Sequence, residues 1–308
     1  MHRSYAVLMP ADLRPDPIVE PESTWWRWRD TDVHIERMGD PAAAARMILL
    51  HGAGGHAAAM FPYAALAAQR GFRVLVPDLP GFGRTRVPRR HAVRYDDWVR
   101  LACDLALAEK QAHPDEPLHL LGASMGGMLA YDVATRTGAA SRVLVTCLLD
   151  PRDPVARRHI THFPWLGDVA RPFMRVAAGP LAGVSVPMPW LTKMRAISNE
   201  PALVDLVLRD RRGGRNRMPL GFLRTFLDSA PAVEPEEASG PAIVLAHPAD
   251  DRWTPHEVSM RFFDRIAAPK EIVMLENAGH YPVESPGARQ LVEAMGTAGP
   301  EPHKGLAG

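Results

Sequence analysis

Six short runs dominated by apolar residues punctuate the chain: RMILLHG (46–52), FRVLVPD (72–78), LHLLGAS (118–124), RVLVTCLLD (142–150), PAIVLAHP (241–248) and KEIVMLE (270–276). Runs of this length without polar alternation mark strands buried on both faces. Between them the spacing lengthens to that of helices. AMFPYAALAAQRG closes at Gly71, MGGMLAYDVATRTG closes at Gly138, and PHEVSMRFFDRIAA separates the last two runs. YDDWVRLACDLALAEKQ (95–111) carries Trp98, Leu101, Leu105 and Ala108 along one face. Alternation of this kind predicts an α/β fold, a mostly parallel sheet with helices on both faces. Upstream, WWRWRD and VHIERMG read as two shorter β pieces.

The alternation breaks between 151 and 235, where PALVDLVLRD and PLGFLRTFLDSA have helical spacing and no run reads as a strand. A helical cap inserted between two sheet strands is the expected arrangement, with 25–150 and 236–298 forming the core. Phe163, Trp165, Phe173, Met188, Trp190, Met194, Phe222 and Phe226 are its expected apolar interior or pocket roof. Residues 1–24, rich in Pro and Glu, read as an irregular lead-in, and 299–308 as a disordered tail.

Composition narrows the function classes. At 308 residues a large core is available, since a chain of this length buries roughly 75% of its unfolded surface. A net charge of +1 argues against nucleic acid as a partner. Cys103 and Cys147, each in an apolar run, read as buried reduced thiols. No secretory signal is recognisable and no apolar stretch is long enough for a membrane span, so a cytoplasmic protein is expected. Within 151–235 the basic residues outnumber the acidic ones by thirteen to seven, most densely in RDRRGGRNR (209–217). A solvated surface explains that cluster better than steering of an anionic substrate, and its Gly-Gly centre suggests an exposed loop.

The most informative stretch is Gly122-Ala123-Ser124-Met125-Gly126, a G-x-S-x-G pattern between a buried strand and a helix. A sharp strand-to-helix turn lifts the serine oxygen into the open, and side chains at either glycine would crowd it. A serine hydroxyl is a weak nucleophile and needs a base, itself held by a third group. His280, in LENAGHYPVESPG, lies just past the last strand, where open α/β sheets place their sites. HGAGGH (51–56) follows the first buried strand, and the backbone N–H groups of Ala53 and Met125 are the expected oxyanion hole. The same stretch also fits G-x-G-x-x-A, with Asp78 ending the next strand, as a dinucleotide-binding loop does. That reading leaves Ser124 and His280 unexplained, and the Met60-Phe61-Pro62 segment delays the helix it requires. The adjacent pair Asp250 and Asp251 is either a solvated turn or a source of the orienting acid, and no ligand-spaced His or Cys nearby suggests a metal.

From about Arg46 to Met295 the ordered motifs HGAGGH, VPDLPGFGRT, GASMGG, HPADDRWTP and NAGHYPVE resemble the α/β-hydrolase superfamily, most closely its monoacylglycerol-lipase and esterase branch. The resemblance implies a capped serine hydrolase without a cofactor, acting on a small molecule with an acyl group. In the family pattern the acid precedes the histidine and lies four residues before the proline that opens the next helix. That selects Asp251, with Asp250 and Asp150 as alternatives. Thr254 and Glu257 have the spacing of a capping box around Pro255. Cleavage of an ester or thioester is the expected chemistry. C–C bond hydrolysis, acyl transfer on the same residues, or a non-catalytic small-molecule receptor are the alternatives.

Overall fold

The structure, a computed structural model, describes residues 1–160 and 179–298. Eight strands form one sheet in the order β1-β2-β4-β3-β5-β6-β9-β10. β1 (Glu22–Trp28) and β2 (Thr31–Met38) form an antiparallel hairpin, and β2 runs antiparallel to β4 (Phe72–Pro77). β3 (Ala45–Leu50), β5 (Leu118–Gly122), β6 (Arg142–Val145), β9 (Ala242–Pro248) and β10 (Lys270–Leu275) continue in parallel. The central strands β3 and β4 are buried at every position, which is why they read as unbroken apolar runs. α2 (Ala57–Gln69) and the helix Gly287–Ala294 pack together on one face of the sheet. α3 (Tyr95–Ala112) and α4 (Met125–Thr137) pack together on the other, where Tyr131 meets Phe262 of the helix His256–Phe263 edge to face.

Several expectations are corrected. The strand expected through Asp150 ends at Val145, because its neighbour β5 turns away after Gly122, the residue paired with Val145. The lead-in is partly ordered: α1 (His2–Ala6) packs on α2, and Tyr5 is fully buried. α2 starts at Ala57 and carries Pro62 within it, so nothing delays it. Its first amide is accepted by the buried Asp78 carboxylate at 2.7 Å. The region between β6 and β9 holds a two-stranded ribbon, β7 (Ser185–Pro187) with β8 (Arg217–Pro219), where no strand was expected. Met188, Met194, Phe222 and Phe226 are buried there, but Trp190 is 74% exposed; Phe163, Trp165 and Phe173 lie outside the described residues, as does the tail. Cys147 is buried, whereas Cys103 is only half-buried. Among the described residues no helix is long and apolar enough to cross a membrane.

Two buried histidines make the fold sensitive to acid. His51 and His247 are fully enclosed, and burial pushes both rings down to about 4. His51 accepts the Leu79 amide on Nε2 at 3.0 Å and donates from Nδ1 to the Gly52 carbonyl at 2.8 Å, an arrangement only the neutral ring can make. The unfolded chain takes up protons below pH ~6.5 while the folded one does not, so stability drops as pH falls from there toward 4. Each ring contributes a slope of about 1.4 kcal/mol per pH unit. Urea unfolding at pH 6.5 and pH 5 should therefore differ by about 3 kcal/mol. A flat profile would show that these rings titrate normally.

Candidate active site

The turn from β5 into α4 is held by backbone contact. A β-carbon at Gly122 would sit 2.1 Å from the Gly126 carbonyl oxygen, and one at Gly126 would sit 2.1 Å from that of Leu50. No side chain is possible at either position without moving the main chain. Ser124 between them adopts φ 55°, ψ −125°, a conformation that costs a non-glycine residue about 1–3 kcal/mol and presents its hydroxyl outward. Its amide donates to Thr146 Oγ1 at 3.1 Å, a bond from β6's end that steadies the strained residue.

The loop after β3 lies against this turn. A β-carbon at Gly52 would come within 2.8 Å of Ser124 Cβ and 3.2 Å of the Met125 nitrogen. The Ala53 and Met125 amides therefore belong to neighbouring stretches of main chain beside the serine. Met125 is also the first residue of α4, where the helix leaves amides for an anion.

His280 is buried in the loop after β10. Its Nε2 lies 2.8 Å from Ser124 Oγ and its Nδ1 lies 2.8 Å from Asp251 Oδ2. The Trp253 and Thr254 amides donate to the other oxygen of Asp251, each at 2.8 Å. Burial alone would raise the Asp251 carboxyl, but His280 and these two amides outweigh it and hold it below its ordinary value. The expected capping box is absent: Pro255 is the cap, with no side-chain bond from Thr254, whose amide is already taken by Asp251.

The two alternative acids lie elsewhere. Asp250 is exposed, its carbonyl accepting from the Asn199 side chain at 3.1 Å. Asp150 is buried in a two-oxygen pairing with Arg152, which also pairs with Glu234. Neither approaches His280 in the way Asp251 does.

Three residues that sequence reasoning passed over hold the site together. Glu284 accepts from Gly279 and Val283 in the histidine loop and from Ser198 and Asn199 in the insertion between β6 and β9. Asp210 of that insertion accepts from Tyr5 at 3.0 Å and pairs with His56 at 2.6 Å, all three being buried. His56, the Arg212 amide and the Tyr5 hydroxyl hold the Asp210 carboxyl at about 2 against the effect of burial. Beside this clamp the Gly-Gly centre of the arginine-rich turn is buried, contrary to expectation. A β-carbon at Gly213 would lie 2.6 Å from the Gly54 carbonyl oxygen, so the turn sits directly on the loop after β3 while its arginines stay exposed.

A second serine also meets a histidine. Ser23 Oγ lies 2.6 Å from His34 Nε2, and His34 Nδ1 lies 2.8 Å from Asp78. Its surroundings differ. Ser23 occupies an ordinary strand position opposite Glu36, and Asp78 is occupied with the amides of Ala57 and Arg84. Ser23 Oγ also accepts from Arg84 Nη1 at 3.1 Å and sits on a regular strand, whereas Ser124 sits on a strained turn at a helix N-terminus.

Comparison with known proteins agrees with this architecture. The family model described as serine aminopeptidase, S33 matches residues 41–284. A monoacylglycerol lipase of Mycolicibacterium smegmatis is 25% identical over 72% of this chain and 75% of its own length. Among solved structures, a Paleococcus ferrophilus monoacylglycerol lipase superimposes with a TM-score of 0.68 at 21% identity, covering 85% of this chain and 98% of that one. A soluble variant of the Saccharomyces cerevisiae monoglyceride lipase, bound to a substrate analogue, gives 0.74 at 15% identity, covering 91% and 94%.

The clamp yields a stability prediction. Asp210→Ala leaves buried His56 and Tyr5 without their acceptor, and a buried group left unsatisfied costs about 1–3 kcal/mol. Chemical denaturation should show a loss of that size, and a change below about 1 kcal/mol would show that the cluster carries little load.

Proposed function

This chain belongs to the serine aminopeptidase S33 family of α/β-hydrolases, and on that premise we propose that it hydrolyses a carboxylic ester or thioester through an acyl-Ser124 intermediate. The observation that carries the reading is the unbroken relay Ser124 Oγ–His280–Asp251, with both links at 2.8 Å.

In this mechanism Ser124 Oγ attacks the substrate carbonyl carbon as its proton passes to His280 Nε2. The carbonyl oxygen becomes an anion, held by the Ala53 and Met125 amides; each such donor is worth roughly 10²–10³ in rate. Collapse breaks the bond to the leaving group, which takes the proton from His280. Water then attacks the acyl carbon, giving its proton to His280 and releasing the acid with Ser124 restored. Asp251 keeps Nδ1 protonated, so that Nε2 is free to act as the base, and stabilises the imidazolium that forms. No step calls for a cofactor. The names of the similar proteins, lipases acting on glycerol esters, support ester cleavage as the chemistry.

A fluorophosphonate probe should label Ser124 and leave Ser23 untouched, which makes Ser23 an internal comparison for a serine beside a histidine on a regular strand. Ser124→Ala should reduce ester turnover by about 10⁴-fold or more. Folded protein that neither takes the probe nor cleaves short esters would instead be a receptor with a hydrolase fold, and the proposal would fail. Asp251→Asn should cost about 10³–10⁴ in kcat, while Asp250→Asn stays within a few-fold of the parent. Retained activity in Asp251→Asn, with loss in Asp250→Asn or Asp150→Asn, would reassign the acid.

A further inference from the structure

Beside Ser124 and His280 lies a narrow cavity of about 60 Å³. Tyr5, Met60, Tyr63, Ile197, Val207 and Tyr281 supply most of its apolar wall, and no Asp, Glu, Lys or Arg lines it among the described residues. Its polar side chains are already engaged. Tyr5 donates to Asp210, Tyr63 to the Pro282 carbonyl, and Tyr281 to the Ala59 carbonyl. Both ring nitrogens of His51 have partners, and Thr146 holds the Ser124 amide. Apart from Ser124 and His280, the described walls carry no charged side chain, and the three tyrosine hydroxyls have their protons turned to other partners, leaving an incoming hydroxyl a mostly apolar surface.

Position and size say which part of a substrate belongs here. The oxygen that leaves must lie within reach of His280 Nε2, because it takes that proton. The cavity is lined by His280 itself and by Tyr281 and Pro282 after it, so a group bonded to an oxygen at His280 Nε2 can enter it. A dry cavity of roughly 150 Å³ accommodates benzene. A space about two-fifths as large holds about two to three carbon-sized groups.

We propose that this cavity receives the alcohol portion of the ester, and that it selects a short, unsubstituted alkyl group and rejects a polyol. The inference rests on the ester-cleaving reading above and names the substrate class of that site. A glyceryl group has the same carbon skeleton as a propyl group but would bury two further hydroxyls. Each hydroxyl left without a partner costs about 1–3 kcal/mol. The pocket therefore separates this chain from the glycerol-ester specificity named for its relatives.

The test compares kcat/KM for propyl, glyceryl and octyl esters of butyric acid, and for propyl esters of progressively longer acids. Propyl butyrate should exceed both glyceryl monobutyrate and octyl butyrate at least tenfold, while lengthening the acid produces no comparable break. Met60→Gln, close to Met60 in volume, places an amide in the wall and should shift preference toward the glyceryl ester; Met60→Leu should leave the ratio unchanged. Equal or faster cleavage of glyceryl monobutyrate overturns the proposal, as does a size limit found in the acid series instead of the alcohol series. Either result leaves ester cleavage at Ser124 intact. Failure to cleave any ester, together with an unlabelled Ser124, removes the parent reading and this one with it.

Discussion

Main chain pressed against main chain at the end of β5 is the constraint from which the rest of the site follows. The missing β-carbons of Gly122 and Gly126 leave only room enough for the carbonyl oxygens of Gly126 and Leu50. Because β3 and α4 meet there without side chains between them, the loop leaving β3 is carried to the start of α4. Ser124, the Ala53 amide and the Met125 amide thus become neighbours through one packing decision. The strain at Ser124 is sustained because the surrounding contacts leave the turn no roomier alternative, and Thr146 secures it from the adjacent strand.

Buried charge performs the second task, joining segments that the sheet alone would leave separate. Three enclosed histidine–aspartate pairs do this in three places: His34 with Asp78, His56 with Asp210, and His280 with Asp251. Their pair chemistry is shared, and their surroundings set them apart. Asp78 receives the first amide of α2, and Asp210 fastens the N-terminal helix and the β6–β9 insertion to the loop after β3. At His280 the outer nitrogen faces a hydroxyl on a strained turn at a helix start. A histidine held by an acid is a versatile strut in this molecule, and only the His280 pair meets a hydroxyl on a strained turn at a helix start among the three.

Much of this was legible in the residues because its causes are local. Unbroken apolar runs report double-sided burial, and G-x-S-x-G reports a turn without space. Ser124 and His280 stand out because glycines and prolines mark the loops around them. Composition could not separate Asp250 from Asp251, since the difference is one of direction: Asp251 turns inward to two amides and His280, and its neighbour faces solvent. The same two amides explain why the T-x-x-E spacing misled, as Asp251 reaches Thr254 first. Tyr5, Asp210 and Glu284 left no local mark because their partners are far away in sequence. Tyr5 and Asp210 are separated by 205 positions, and no spacing rule spans that distance. The Gly213-Gly214 pair illustrates the same limit. Glycines that look like slack in a loop are small here because another backbone needs the space.

That seating of the arginine-rich turn upon Gly54 bears on how such proteins diversify. Insertions between sheet strands are commonly treated as interchangeable modules, free to vary in length while the catalytic frame stays constant. In this chain the insertion shares a backbone contact and a buried hydrogen bond with the loop carrying Ala53, so the two are a single mechanical unit. A change in the insertion's length near 209–217 would be transmitted to the amide geometry beside the serine. Changes in the insertion and in the loop after β3 are then coupled, and a transplanted insertion would need its own matching loop and N-terminal helix to travel with it.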